Sequence, residues 1–318
     1  MSKLKYKLKH LFVLNTIALG AMHTVNQIIS SSATVKNILK PDVGKFHHWK
    51  LGNIFYRKIG SGSPLLLIHD LNCSSSGFEW SQLEHKLSRN HTVYTIDLLG
   101  CGRSDKPGLT YTSYLYVQLI SDFIRNVIKE KTDVVVTGLS SSFLTMSAYS
   151  DKELIDKIVM INPPSLNKMD QLPDDRSKVI LGIMSIPVIG TFIYHIIYCR
   201  QNVEYSLTEN FLYNPFRVQS KYIDAYYESA HRVSGNGKFL MASIDGQYVN
   251  INIRKALHSL DNNILIIYGA KAENKKETAE SYHKLNENIS TILLSGTKLL
   301  PQLEAPEDTF SRHLPEEL

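Results

Sequence analysis

Five apolar runs of strand length recur along the chain: PLLLIH from Pro64, VYTIDL from Val93, DVVVTG from Asp133, KIVMI from Lys157 and NILIIYG from Asn263. None alternates apolar with polar, as a strand with one wet face does. Continuous runs belong to strands covered on both sides, the hallmark of parallel sheet. Between them lie stretches of helical period, such as SYLYVQLISDFIRNVIKE and SSFLTMSAYS. That alternation predicts an α/β fold with a mostly parallel central sheet and helices on both faces. It starts after short extended runs at HHWKL and NIFYRKI, and it resumes at the end with a helix over 277–286, the run STILLSG and a short PEDTFSRHL.

Two segments stand outside this pattern. Residues 1–45 form a membrane-directed segment and linker. Lys3, Lys5, Lys7 and Lys9 precede Leu11 to Ile29, which holds no charged residue if His23 is neutral. A basic flank before about 20 uncharged residues suits a bilayer-spanning helix, although Asn15, Thr16, His23, Asn26 and Gln27 weaken it. Three readings stand: an uncleaved signal-anchor with a cytoplasmic amino terminus and an outward domain, a signal peptide cut near Ser31-Ser32-Ala33 that leaves a secreted domain, or a helix lying on the membrane surface or on a cytoplasmic domain. Membrane lipid is an expected partner through 11–29. Residues 165–261 interrupt the strands as a helical lid insertion between core parts 46–164 and 262–318. Its run from Val179 to Cys199 is uncharged, with Pro187 expected to break it. Lying between two strands of one sheet, it reads as a buried or lipid-touching helix rather than a second span.

Other classes are excluded by composition. Net charge is 35 − 30 = +5, too small for nucleic-acid binding, and Cys73, Cys101 and Cys199 give neither a disulfide framework nor a CxxC metal site. His47 and His48 are adjacent on a strand and point to opposite faces. GSGSP lacks phosphate-loop spacing. No cofactor or metal is expected. The N-x-S/T triplets at Asn72, Asn90 and Asn288 matter only in a glycosylating host. Tyr226-Tyr227 reads as packing.

The chemistry concentrates after the first three central strands, at IHDLN, DLLGCGRSDKP and GLSSS. Together these resemble the α/β-hydrolase superfamily, especially lidded single-domain members such as proline iminopeptidases, esterases and haloalkane dehalogenases. The resemblance covers residues 46–164 and 262–313. It implies a strand-to-helix elbow at GLSSS, with Ser140 as candidate nucleophile between the small residues Gly138 and Ser142, and an oxyanion hole from the backbone amides of Leu71 and Ser141. It also implies structural roles for His69 and for Asp97 with Gly100 and Gly102. His69-Asp70 departs from the family's HisGly, and a carboxylate there opposes developing negative charge.

The remaining triad positions also depart. The acid position falls on Ala272, with neighbouring Glu273 a substitute acid set between Lys271 and Lys275; the other acid position used in the family falls near Asn162. The base position, fixed by Pro301, Glu304 and Pro306, is Leu299, with Lys298 or Lys271 as substitute bases. Aliphatic side chains cannot take the serine proton, and loss of a triad member lowers turnover by about 10⁴-fold. The expected function is therefore a non-catalytic or impaired hydrolase-fold protein whose pocket binds a small apolar ligand, ester or amide. The rivals are an active membrane-associated serine hydrolase with a rearranged base, and a scaffold at the membrane surface.

Overall fold

The computed structural model describes residues 2–310. A long helix α1 (Ser2–Ala33) leads into β1 (Lys45–Trp49), β2 (Gly52–Ile59), β3 (Ser63–Ile68), a single turn α2 (Glu84–Leu87), β4 (His91–Ile96), α3 (Ser113–Phe123), β5 (Thr132–Thr137), α4 (Ser140–Ser150) and β6 (Ile155–Ile161). Helices α5 (Leu166–Met169), α6 (Asp175–Ser185), α7 (Ile189–Ile197), α8 (Arg200–Tyr205), α9 (Ser220–His231), α10 (Gly237–Asp245) and α11 (Arg254–His258) follow as an insertion. The sheet then resumes with β7 (Ile264–Gly269), α12 (Lys275–Leu285), β8 (Ile289–Leu294) and the short α13 (Pro301–Glu304) and α14 (Pro306–Phe310).

The strands join in one sheet of order β1-β2-β4-β3-β5-β6-β7-β8. From β4 to β8 every pairing is parallel; β1 and β2 are antiparallel. The continuous apolar runs explain this. Along β5, Val134 and Val136 join one core cluster and Val135 joins the other, so successive side chains feed opposite faces. Each such valine contributes about 1.5–3 kcal/mol by burial. The larger cluster takes Tyr116, Phe123 and Phe143 from α3 and α4, while Trp80 fills the other.

One amphipathic stretch does not form the regular helix that its sequence pattern suggests, and one apolar stretch is broken. FEWSQLEHKLSRN forms a 3-10 turn over Gly77–Trp80 and the single turn of α2, because the buried Asp97 carboxylate takes the Gly77 amide and fixes the loop instead. The apolar run 179–199 breaks where Pro187 was expected to break it, into two helices bent by 105°. The ring cannot supply the amide a continuing helix requires.

Candidate functional site

Parallel strands end together, so the loops after β3, β5, β6 and β7 converge at one edge. There Asp70, Leu71, Gly138, Leu139, Leu299 and Lys275 line a cavity of about 360 Å³, roofed by Phe211 and Tyr226 of the insertion. This volume suits a small molecule.

The sharp turn between β5 and α4 lies two residues earlier than the motif suggested. Gly138 carries φ +55°, the left-handed conformation that only glycine adopts freely, and Leu139 is already helical. Ser140 is fully buried in the first turn of α4, and its hydroxyl donates to the His69 carbonyl at 2.8 Å. It does not line the cavity. The Ser141 amide donates to Gly138 O at 3.1 Å, so it is spent inside the helix start. The amide that follows the left-handed residue is that of Leu139, and it donates to Asp70 Oδ1 at 2.7 Å. A Cβ on Gly138 would overlap the Asp70 carboxylate. Asp70 thus fills the space in which a side chain on this turn would stand, and it satisfies the turn's outward amide. The signal in the sequence was the glycine placed directly after the last β-branched residue of the strand, Thr137.

The other expected residues are dispersed. Ala272 is buried and its amide bonds back to Gly269 O at 3.1 Å. Glu273 is exposed at the cavity mouth. Leu299 lines the cavity, and its amide donates to Phe211 O at 2.9 Å, tying the last loop to the insertion. Lys298 reaches outward to the Glu209 carbonyl. Lys271 lies over the Tyr213 ring. Asn162, with φ +49°, donates to the carbonyls of Lys298 and Leu299, both at 3.0 Å, and so fixes that loop. Among the described residues, no hydrogen bond joins any of these side chains to the Ser140 hydroxyl, and no histidine lines the cavity.

Supporting residues behave as their chemistry dictates. His69 is buried; its Nε2 accepts from Leu98 N at 3.0 Å and its Nδ1 donates to Asp70 O at 2.7 Å, so burial holds it neutral, below its ordinary value. Burial alone would raise Asp97, but the Arg103 charge and hydrogen bonds overcome it and hold the carboxyl at about 2.

A polar group that sequence reasoning missed lies on the cavity floor. Glu79 is fully buried and accepts from Tyr226 OH at 3.1 Å and Thr137 Oγ1 at 3.4 Å. Burial, with Asp70's charge adding and the Ser75 hydrogen bond opposing, pushes its carboxyl up to about 8. Lys275 donates to the carbonyls of Asn162 at 2.9 Å and Pro163 at 2.7 Å; burial brings its amine down to about 8 against the pull of Asp70. Neither residue belongs to a recognisable string, so only the packed structure brings them together.

Residues 65–310 match the alpha/beta hydrolase family. The chain belongs to that family. Among curated proteins this α/β hydrolase-fold chain is 30% identical over 113 residues to an uncharacterized protein of Mycobacterium tuberculosis, covering 36% of this chain and 33% of that one. It is 25% identical over 132 residues to a soluble epoxide hydrolase of a Corynebacterium species, covering 40% and 46% respectively. The matched stretch thus spans about a third to a half of these relatives. Solved structures share the fold: a serine hydrolase involved in carbazole degradation superimposes with TM-score 0.71 at 18% identity, over 86% of this chain and 97% of that one. A membrane phospholipase A superimposes with TM-score 0.67 at 16% identity over 98% and 97%.

Proposed function

We propose that this α/β-hydrolase family member is a non-catalytic binding protein, held at a membrane by α1, whose lidded cavity takes a small, partly apolar ligand. One observation carries the reading: the left-handed turn that presents a nucleophile in this fold is made by Gly138, and Asp70 stands in the space and on the amide that catalysis would use. Hydrolysis needs a nucleophile with a base in reach. Where the family resemblance puts base and acid stand Leu299, which lines the cavity, and Ala272, which is buried outside its lining. The Ser140 hydroxyl points into the protein, away from any substrate.

An active serine hydrolase with a rearranged base draws no support from Glu273 or Lys298, since neither bonds to Ser140. A pure scaffold has no use for an open cavity. Its wall combines Leu71, Leu139, Ile244 and Leu299 with Asp70, whose Oδ2 takes no hydrogen bond among the described residues, so an apolar body bearing a hydrogen-bond donor fits best. Membrane placement is supported by the length of α1 and by the membrane phospholipase A, whose overlap is too complete to omit that helix.

The test combines catalysis with binding on the full chain. Fluorophosphonate labelling and p-nitrophenyl butyrate turnover are expected to be absent; labelling lost in Ser140→Ala overturns the proposal. Saturation-transfer NMR is expected to show the intact ester bound, with the signal lost in Leu299→Trp. A folded chain that shows no transfer points to the scaffold instead.

A further inference from the structure

The α6–α7 corner has no part in the cavity chemistry, yet it is a strained apolar turn on the surface. Val188 adopts φ +64° and ψ −56°, and the Ile189 amide bonds to Pro187 O at 2.6 Å. This is the γ-turn of rare hand, unfavourable for any residue and most of all for a β-branched one. Around it Ile183, Ile186, Pro187 and Ile189 face outward. From Val179 to Cys199 the segment holds no Asp, Glu, Lys or Arg.

The corner is held from two sides: Lys238 of α10 donates to the Ile186 carbonyl at 3.5 Å and to Thr191 Oγ1 at 3.0 Å, and α1 holds it from the other. Asn26, a buried residue near the end of α1, donates from Nδ2 to the Val188 carbonyl at 3.0 Å. One helical turn on, Ser30 Oγ meets His195 Nε2 of α7 at 3.4 Å. Beyond it Lys36 pairs with Asp224 at 2.8 Å, and the Ile38 amide bonds to Glu228 at 2.6 Å. The root of α1 is therefore fixed to the body, while Leu11, Phe12, Leu14 and Ile17 higher up are more than half exposed. The span that passes as membrane-crossing begins at Tyr6. Its uncharged part, Leu11 to Ile29, at ~1.5 Å per residue covers a hydrocarbon core of ~30 Å, which puts the bilayer surface near position 29. Asn26 and the corner bonded to it lie within about one helical turn of that level.

We infer that the α6–α7 corner is a second membrane contact, docking Ile186, Pro187 and Ile189 into the interfacial layer of the phospholipid bilayer that α1 enters. The inference rests on the membrane reading of α1. The choice of lipid follows from position and charge: the corner sits at the foot of a helix that opens with Lys3, Lys5, Lys7 and Lys9, its own residues carry no charge, and Lys238, whose amine bonds to the Ile186 carbonyl, is already buried. It has a consequence for the pocket. A side chamber of about 160 Å³ runs from Ile197 and Tyr198 at the end of α7 to Phe211 and Tyr226, which also wall the main cavity. A docked α7 therefore sets the chamber beside the lipid surface.

The test uses the full chain with Cys199→Ser, reconstituted in nanodiscs of phosphatidylcholine and phosphatidylglycerol, with or without brominated phosphatidylcholine. A bimane is attached at Leu14→Cys, Ile186→Cys or Lys284→Cys, the last on α12 by the far sheet edge. Bromolipid is expected to cause loss of fluorescence at 14 and at 186 and none at 284. Loss at 14 with none at 186 overturns the docking and leaves the span standing. No loss at either removes the membrane reading of α1 and the docking with it. Should the 186 probe escape bromolipid and instead form a disulfide-linked dimer when left unlabelled, a second copy covers the corner and the inference fails.

Discussion

At the scale of single residues, the decisive conflict is between Gly138 and Asp70. A side chain on Gly138 must take a left-handed conformation and also displace the Asp70 carboxylate. Gly138→Ser is expected to cost about 2–3 kcal/mol in urea unfolding, part backbone strain and part overlap. In an Asp70→Ala background only the strain remains, about 1 kcal/mol, so the double-mutant cycle gives a coupling of about 1–2 kcal/mol. Additive costs would mean that the two groups do not compete. Ser140→Ala is expected to cost about 1 kcal/mol for the bond to His69 O and to change no activity. The floor groups set a pH dependence. Glu79 has a folded value of about 8, raised by burial, so folding retains a proton that the unfolded chain releases; its contribution is full below the unfolded carboxylate value and is lost as pH rises to 8. Lys275, lowered by burial to about 8, acts in the opposite sense: the unfolded chain binds the extra proton, and stability rises as pH climbs from 8 towards 10.5. Urea midpoints are expected to fall between pH 6.5 and 8 and to rise above it, with Glu79→Gln removing the fall alone. A midpoint profile of Glu79→Gln parallel to that of the native chain would refute this assignment.

Among the elements, the sheet was legible and its key turn was not. Strands such as DVVVT and ILIIY are identified by continuous burial, which leaves a compositional trace in every residue. The apex of the β5–α4 turn leaves a trace in one residue only. GLSSS satisfies the spacing of a nucleophile string about Ser140 just as it satisfies the geometry of a turn at Gly138, and the choice is made by where β5 stops pairing, at Thr137 with Ile161. In the insertion the break at Pro187 was legible, but the left-handed Val188 that follows it and the Asn26 contact on its carbonyl, more than 150 positions away, were not. The same elements carry a prediction. His195 and His231 stack at 4.9 Å with rings 9° from parallel beside Ser30 of α1. Burial lowers both to about 4; the charges of His231 and Lys238 add for His195, and the hydrogen bond to the Tyr227 carbonyl opposes for His231. The unfolded chain binds protons there that the folded one refuses, so stability is lost as pH falls from 6.5 to 4. Amide exchange in α9 and at the root of α1 is expected to quicken over that window, and His231→Phe to blunt the change. Exchange that quickens equally in the variant would place the acid sensitivity elsewhere.

At the scale of the whole molecule, the architecture stands independently of the chemistry that this fold commonly hosts. Nothing in the sheet, the helical layers or the 360 Å³ cavity depends on a nucleophile, since the fold is held by apolar clusters on both faces and by the Asp97–Arg103 pair under the loops. If catalysis is missing only at defined positions, restoring those positions tests the claim directly. The combination Gly138→Ser, Asp70→Gly, Ala272→Asp and Leu299→His is expected to acquire fluorophosphonate labelling at position 138 and measurable p-nitrophenyl butyrate turnover. The native chain and Leu299→His alone are expected to stay inert, because triad members act as a unit and a base without a nucleophile gains nothing. Asp70→Gly belongs in the set for two reasons: it clears the space beside position 138, and it frees the Leu139 amide to stabilise an oxyanion, a donor worth about 10²–10³-fold in turnover. Omitting that one change should therefore leave labelling weak even with the other three in place. A four-fold variant that folds to the native thermal midpoint and remains unlabelled would show that position 138 is not where this scaffold presents a nucleophile.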